Sequence, residues 1–406
     1  RPDLERSLHA ILRRCRYVPT SPYGKQMHMA VEDAYKRLLL PSAERTVRSE
    51  LKTRADDEAI DVFQKNMEAL LLASPFGAKP VLGIDPGIRT GCKCAMVDAS
   101  GVLVAHQTIF LVGRKDIQRE SLLRLVRQHR PAAIAIGNGT GGREAEAQVR
   151  EAIVGAGLSI IVVSVNEAGA SVYSASELAR AELPQVDLTV RGAVSIARRL
   201  QDPLAELVKV PCKSIGVGQY QHDVDQHKLE RRLTAVVESC VNRVGVNINT
   251  ASPALLSYVA GIGPKLAQAL CDYRSQSGPF NSRTDLLKVP GLGQKTFEQC
   301  AGFLRILKGR NPLDASAVHP ERYPLVKRMA KDLGVGIDKL VGSDPVTHRL
   351  ELAKYQSDDV GHATLADILE ELKKPGRDPR SRFAAPTFRD DVQNVEDLTE
   401  GMVLQG

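Results

Sequence analysis

Two segments thirty residues apart repeat one pattern: Leu256-Ser-Tyr-Val259-Ala-Gly261-Ile-Gly263-Pro-Lys265 and Leu286-Leu-Lys-Val289-Pro-Gly291-Leu-Gly293-Gln-Lys295. Leu, Val, both glycines and Lys recur at a constant offset, the mark of an internal duplication. Each copy reads as a short helix, a tight Gly-hydrophobic-Gly turn and a second helix. The glycines permit backbone shapes that a β-carbon disfavours, and they leave amide N–H groups open where the second helix starts. Such amides suit a phosphate oxygen, and Lys265 and Lys295 place a cation just past each turn. Gly261, Gly263, Lys265, Gly291, Gly293 and Lys295 are therefore the candidate nucleic-acid-binding residues. Arg274, Lys288 and Lys308 are weaker candidates that also read as solvated surface. The alternative is a pair of helical hairpins whose glycines serve only to cap and turn the chain.

Composition narrows the remaining possibilities. At 406 residues the chain has room for two to four domains with real cores. No apolar run approaches a membrane span, and the charged start Arg1-Pro-Asp-Leu-Glu-Arg6 is no signal peptide; without Met at its head the chain reads as a piece of a longer one. A net charge of +7 permits a polyanionic partner. The seven cysteines are scattered, with only Cys92 and Cys94 close together, so they read as reduced thiols of a cytoplasmic protein. His222 and His227 are five apart and do not share a helical face. Neither an HExxH motif nor a Cys/His ladder is present; no metal and no cofactor are expected, and a monomer is.

Along the chain, residues 1–79 read as helices. Met29–Leu40 is amphipathic, and Pro41-Ser42 is expected to restart the helix with Ser42 as N-cap. The α/β domain is placed at 80–212. Three short β-like runs (Val81–Gly87, Lys93–Val97, Val102–Phe110) form an antiparallel meander. A helix at 115–128, strand 132–136, helix 143–155 and strand 159–165 then follow, giving a mixed sheet. The chain is helical again from Val190 through Leu207. A connecting loop and helix occupy 213–245, the hairpins 246–310, further helices 311–375 and a linker 376–394. Residues 395–406 read as an opening strand.

Asp85 ends a buried strand and is followed by Pro86-Gly87 and a hairpin, as in the first strand of a ribonuclease-H-type fold. Two-metal cleavage needs carboxylates from several elements, because two Mg²⁺ ions must straddle the scissile phosphate. Glu167 is the second candidate. The helix that should supply a third begins Thr189-Val190-Arg191-Gly192, Asp187 reads as its N-cap, and Asp202 lies too far along it. Asp85 and Glu167 are thus vestigial candidates, and no intact catalytic set is expected. A second reading takes Gly137-Asn-Gly139-Thr-Gly-Gly142 as a dinucleotide loop. Against it, this strand follows a meander, and Glu167 lies 25 residues after Gly142 where about 20 is usual. A tight turn is the plainer reading.

Taken together these segments resemble the Tex family of transcription accessory proteins. The resemblance is carried by Glu32–Leu39, Gly83-Ile-Asp-Pro-Gly-Ile-Arg-Thr-Gly91, Ile136-Gly-Asn-Gly-Thr140, Asn166–Ser176, Val190–Leu204, Gly216–Val224 and the duplicated hairpins. It implies a mainly helical multidomain protein with one YqgF-type ribonuclease-H-like α/β domain and tandem helix-hairpin-helices. It also implies a C-terminal OB-fold RNA-binding domain, of which 395–406 would be the truncated start. By the same resemblance the protein binds nucleic acid in transcription, with the transcription machinery as a further partner, and its nuclease-like site is incomplete; the hairpins point to a grip on RNA or DNA backbone without base specificity. The alternatives are a metal-dependent nuclease using Asp85 and Glu167, and a protein-interaction scaffold.

Overall fold

The computed structural model describes residues 3–87, 89–110, 115–357, 359–376, 378–380, 383–384, 399 and 401–402, without the side chains of 115–118. Most of the expected linker 376–394 and of the opening strand 395–406 lies outside the described residues. The chain divides into two compact units, Arg1–Phe63 with Tyr220–Gln226, and Gln64–Gln219 with His227–Gly406.

The first unit is helical. Helix α1 (Leu4–Arg14) starts at Asp3, whose carboxylate accepts from the Arg6 amide. Helix α2 (Gly24–Ala34) does not end before Pro41. It runs through a π-turn (Tyr35–Leu39) into α3 (Leu40–Leu71), so Ser42 lies inside a helix and caps nothing. The reason is geometric. Proline lacks the N–H and its ring collides with the carbonyl four residues back, whereas a wider turn with Leu40 N–H bonded to Tyr35 O relieves that collision without breaking the helix.

The second unit opens with the expected α/β domain, built on β1 (Val81–Asp85), β2 (Cys92–Val97), β3 (Leu103–Ile109), β4 (Ala133–Gly137) and β5 (Ile161–Val165). Their spatial order is β3-β2-β1-β4-β5: the first three pair antiparallel, while β4 and β5 join parallel. Strand alternation separates two cores. Leu82, Ile84, Cys94, Met96, Ile134 and Ile136 face α4 (Lys115–His129) and α5 (Gly142–Gly155). Val81, Ala95, Val97, Ala133 and Ala135 face a central helix on the other side. Between β5 and that helix lie two short ones, α6 (Ala170–Ala175) and α7 (Glu177–Glu182).

The central helix is α8 (Leu188–Gln201), capped by Asp187 as expected. It sits so close to β1 that a β-carbon on Gly83 would lie 2.1 Å from the Ala193 carbonyl oxygen. Helix does not continue unbroken to Leu207. Asp202 takes extended backbone and caps a separate helix α9 (Pro203–Leu207), because Pro203 favours the first helical position.

After α10 (Gln226–Val244), a two-residue strand β6 (Val246–Asn247) enters the duplicated region. The first hairpin joins α11 (Pro253–Leu256) to α12 (Pro264–Ser277). The second joins a 3-10 turn (Arg283–Lys288) to α13 (Gln294–Cys300). Strand β7 (Leu304–Arg305) then pairs parallel with β6 and closes the region. Four more helices, α14 (Tyr323–Asp332), α15 (Ile337–Leu340), α16 (Asp344–Thr347) and α17 (His362–Lys373), enclose a core that includes Leu313, Val326, Met329, Leu340, Leu365 and Leu372. Arg283, 1% exposed, fastens this bundle to the second hairpin. Its guanidinium donates to the carbonyls of Leu304, Ser316 and Val318 and to the Tyr323 hydroxyl.

Candidate functional site

The hairpin turns are matched in geometry as well as sequence. Gly261 and Gly291 have φ of 81° and 89°, the left-handed region that glycine enters freely. Gly263 and Gly293 are extended, at φ −85°, ψ 171° and φ −84°, ψ 173°, and open α12 and α13. A β-carbon on either would meet nothing within 4 Å, so both turns present bare backbone. Lys265 and Lys295 are exposed, and neither forms an ion pair among the described residues. Each turn rests on the other hairpin. A β-carbon on Gly261 would approach Gln299 to 3.1 Å, and one on Gly291 would approach Leu266 to 3.9 Å. Both turns therefore sit at fixed positions in one body.

The weaker candidates separate. Arg274 donates to the carbonyls of Ile248 and Ala251 at 2.6 and 3.1 Å, which makes it a strut inside the first hairpin rather than a contact residue. Lys288 pairs with Asp285 at 2.6 Å, and Lys308 is exposed. Asn242, which sequence reasoning missed, holds the first turn from α10: it donates to Tyr258 O and accepts from the Ala260 amide.

The second locus is a cavity of about 250 Å³ at the C-terminal end of the central strand β1, lined by Asp85, Thr90, Lys93, Glu167, Ser171, Thr189 and Gly192 among others. Alternation along β1 places Asp85 on the face that meets α8, and there it finds Gly192. A β-carbon at Gly192 would lie 2.5 Å from Asp85 Oδ2. Glu167 arrives from the end of β5, and its carboxylate lies over the glycine loop. A β-carbon on Gly139 would be 1.5 Å from Oε1, and one on Gly137 2.4 Å from Oε2. The run Gly137–Gly142 is thus a cradle for a side chain of this chain, and the close approach that a dinucleotide phosphate would need is taken by Glu167.

Two residues shape this site that the linear sequence did not reveal. Lys93 pairs across the ladder with Asp85, faces the same cleft, and donates to the carbonyls of Thr90 and Gly91 at 2.6 and 2.9 Å. Arg199, 2% exposed, donates to the carbonyls of Asn166 and Ala168 and so fixes the loop that carries Glu167. Arg191, placed near the site by sequence, turns away and binds the carbonyls of Val186 and Ser174. Burial, then the nearby Glu167 charge, raise the Asp85 pKa to about 6, against a smaller opposing pull from Lys93.

A ribonuclease-H-like nuclease holds two Mg²⁺ ions through clustered carboxylates. Among the described residues no group of three or more His, Cys, Asp or Glu is placed to hold a metal ion. Gly192 occupies the helical position facing Asp85, where a third carboxylate would be needed, and Lys93 contributes a cation. These residues do not fit a two-metal centre.

A five-stranded mixed sheet packed on one central helix, followed by a closed pair of helical hairpins, defines a ribonuclease-H-like domain joined to helix-hairpin-helix modules. Comparison with known proteins is specific on both counts. Residues 79–201 match the Tex protein YqgF-like domain, 241–305 the helix-hairpin-helix motif and 311–380 the HHH domain. The transcriptional accessory protein Tex of Neisseria gonorrhoeae is 49% identical over 385 residues, which cover 94% of this chain and 50% of that protein. Protein tex of Bordetella pertussis is 50% identical over 372 residues, 91% of this chain and 47% of that protein. The human S1 RNA-binding domain-containing protein 1 is 35% identical over a gapped alignment of 443 positions that covers 94% of this chain and 44% of that protein. The chain thus carries a Tex YqgF-like domain and two helix-hairpin-helix matches, is similar to proteins named Tex over most of its length, and spans about half the length of these relatives. No helix among the described residues is long and apolar enough to cross a membrane.

Proposed function

We propose that this chain is a nucleic-acid-binding part of a cytoplasmic transcription accessory protein, and that it grips DNA or RNA through the backbone without reading bases. The observation that carries this reading is the pair of matched, open glycine turns, each followed by an exposed lysine. Backbone amides and lysines contact phosphates, which carry no sequence information. The names of the relatives support the transcriptional setting, and the matches at 241–305 and 311–380 support the binding surface. Lys265→Glu combined with Lys295→Glu is expected to weaken binding about equally for unrelated sequences and to flatten its salt dependence. Undiminished binding of duplex and single strands at low salt would remove the hairpins from the interface.

We further propose that the α/β domain does not cut nucleic acid. Support comes from the donor set: two carboxylates beside an ammonium, with Gly192 at the helical position where a third carboxylate would stand. Single-stranded, duplex and branched DNA, and RNA, should remain intact when incubated with the protein in Mg²⁺ or Mn²⁺. Cleavage abolished by Asp85→Asn would overturn the proposal in favour of a metal-dependent nuclease.

A further inference from the structure

A larger cavity, about 690 Å³, lies where the α/β domain, the hairpins and the segment after α17 meet. That volume is typical of a small-molecule site. Its charged lining is almost wholly self-neutralised. Arg198 pairs with Glu182 at 2.8 Å, Lys209 with Glu182 and Glu206 at 3.1 and 2.8 Å, and Arg380 with Asp202 and Asp378 at 2.6 and 2.7 Å. Arg305 is the exception. It is 7% exposed, its Nε has no hydrogen-bond partner, and it forms no ion pair among the described residues. Glu371 and Asp378 act on it only at longer range.

The guanidinium of Arg305 is packed against backbone. It lies against Gly245, where a β-carbon would come within 2.4 Å of Nε. A buried cation without a partner is costly, and the cost is recovered when an anion arrives. Asn247 and Thr250 line the same cavity and add hydrogen-bond donors, while Leu204, Leu255 and Leu307 supply an apolar wall. A planar carboxylate has two oxygens, which one guanidinium fork uses up. A phosphate keeps further acceptors for the amide and hydroxyl.

We propose that this cavity is a binding site for a small phosphate monoester, with Arg305 as the group that recognises its phosphate. The site stands apart from the hairpin turns and does not rest on the reading given to them. A free nucleotide and the 5′-terminal phosphate of a strand share this chemistry.

Titration calorimetry separates the sources. One arm uses adenosine monophosphate, the other an oligonucleotide with and without a 5′-phosphate. Adenosine monophosphate is expected to bind, and Arg305→Gln to weaken it roughly ten- to a hundredfold, the loss of a charge-assisted contact. Should only the 5′-phosphate strengthen binding, in a manner lost in Arg305→Gln, the site stands and its ligand is a strand end. Thr250→Trp, at an exposed position of the lining, should block either ligand and serves if Arg305→Gln does not fold. Silence in both arms, or binding that persists in both variants, overturns the proposal.

Discussion

Asp85 shows how one residue can look catalytic in sequence and be something else in the fold. Its pKa is raised from 3.8 to about 6, so the folded chain holds this proton more tightly than the unfolded chain does. Its contribution is therefore most favourable below the unfolded pKa and declines as pH rises toward 6, staying unfavourable above it. Asp85→Asn should raise stability at pH 8 by about 1–2 kcal/mol, after allowance for partial exposure, and flatten the decline between about pH 4 and 6. Denaturant unfolding at pH 4 and pH 8 checks this, and a less stable variant at pH 8 would contradict it. That Asp85 ends a buried strand was legible in Val81-Leu-Gly-Ile-Asp85, because a short apolar run stopping at an acid is a local pattern. Lys93 was not legible, since its position opposite Asp85 depends on hairpin register. Arg199 was hidden for a different reason: its partners are backbone carbonyls, which leave no trace in side-chain identity.

At the scale of elements, the meander, the alternating helices and strands and the two hairpins could be read because their periodicity and turn residues are local. The continuous passage of helix through Pro41 could not, since a π-turn has no side-chain signature. Nor could the tight seating of α8 on β1, which is set by the absence of atoms at Gly83. Gly83→Ala would place a β-carbon 2.1 Å from Ala193 O and 2.8 Å from Ala197 Cβ. These atoms are backbone and a short alanine side chain of the buried helix α8, so nothing flexible can yield. The substitution is expected to cost about 3 kcal/mol or more and to disturb both walls of the acidic cleft. Thermal unfolding would show it, and a melting temperature equal to the parent's would mean that α8 can move off the sheet.

For the molecule as a whole, what joins the modules of the second unit is polar and buried. Arg283 reaches from the second hairpin into the following bundle with its donors met by three carbonyls and Tyr323, and its own amide donates to Asp314. Arg283→Met would strand those acceptors and should cost roughly 3–5 kcal/mol. Hydrogen exchange should then quicken across 313–373 while β1, β2 and β4 keep their protection; uniform quickening would mean that the modules unfold together. The reciprocal seating of the hairpins has its own consequence. Gly261 lies on the helix of the second copy and Gly291 on that of the first, so a repeated segment has become its twin's foundation. Neither copy can now be deleted, lengthened or exchanged for a foreign hairpin without unseating the other, and what reads as two units along the chain is inherited as one.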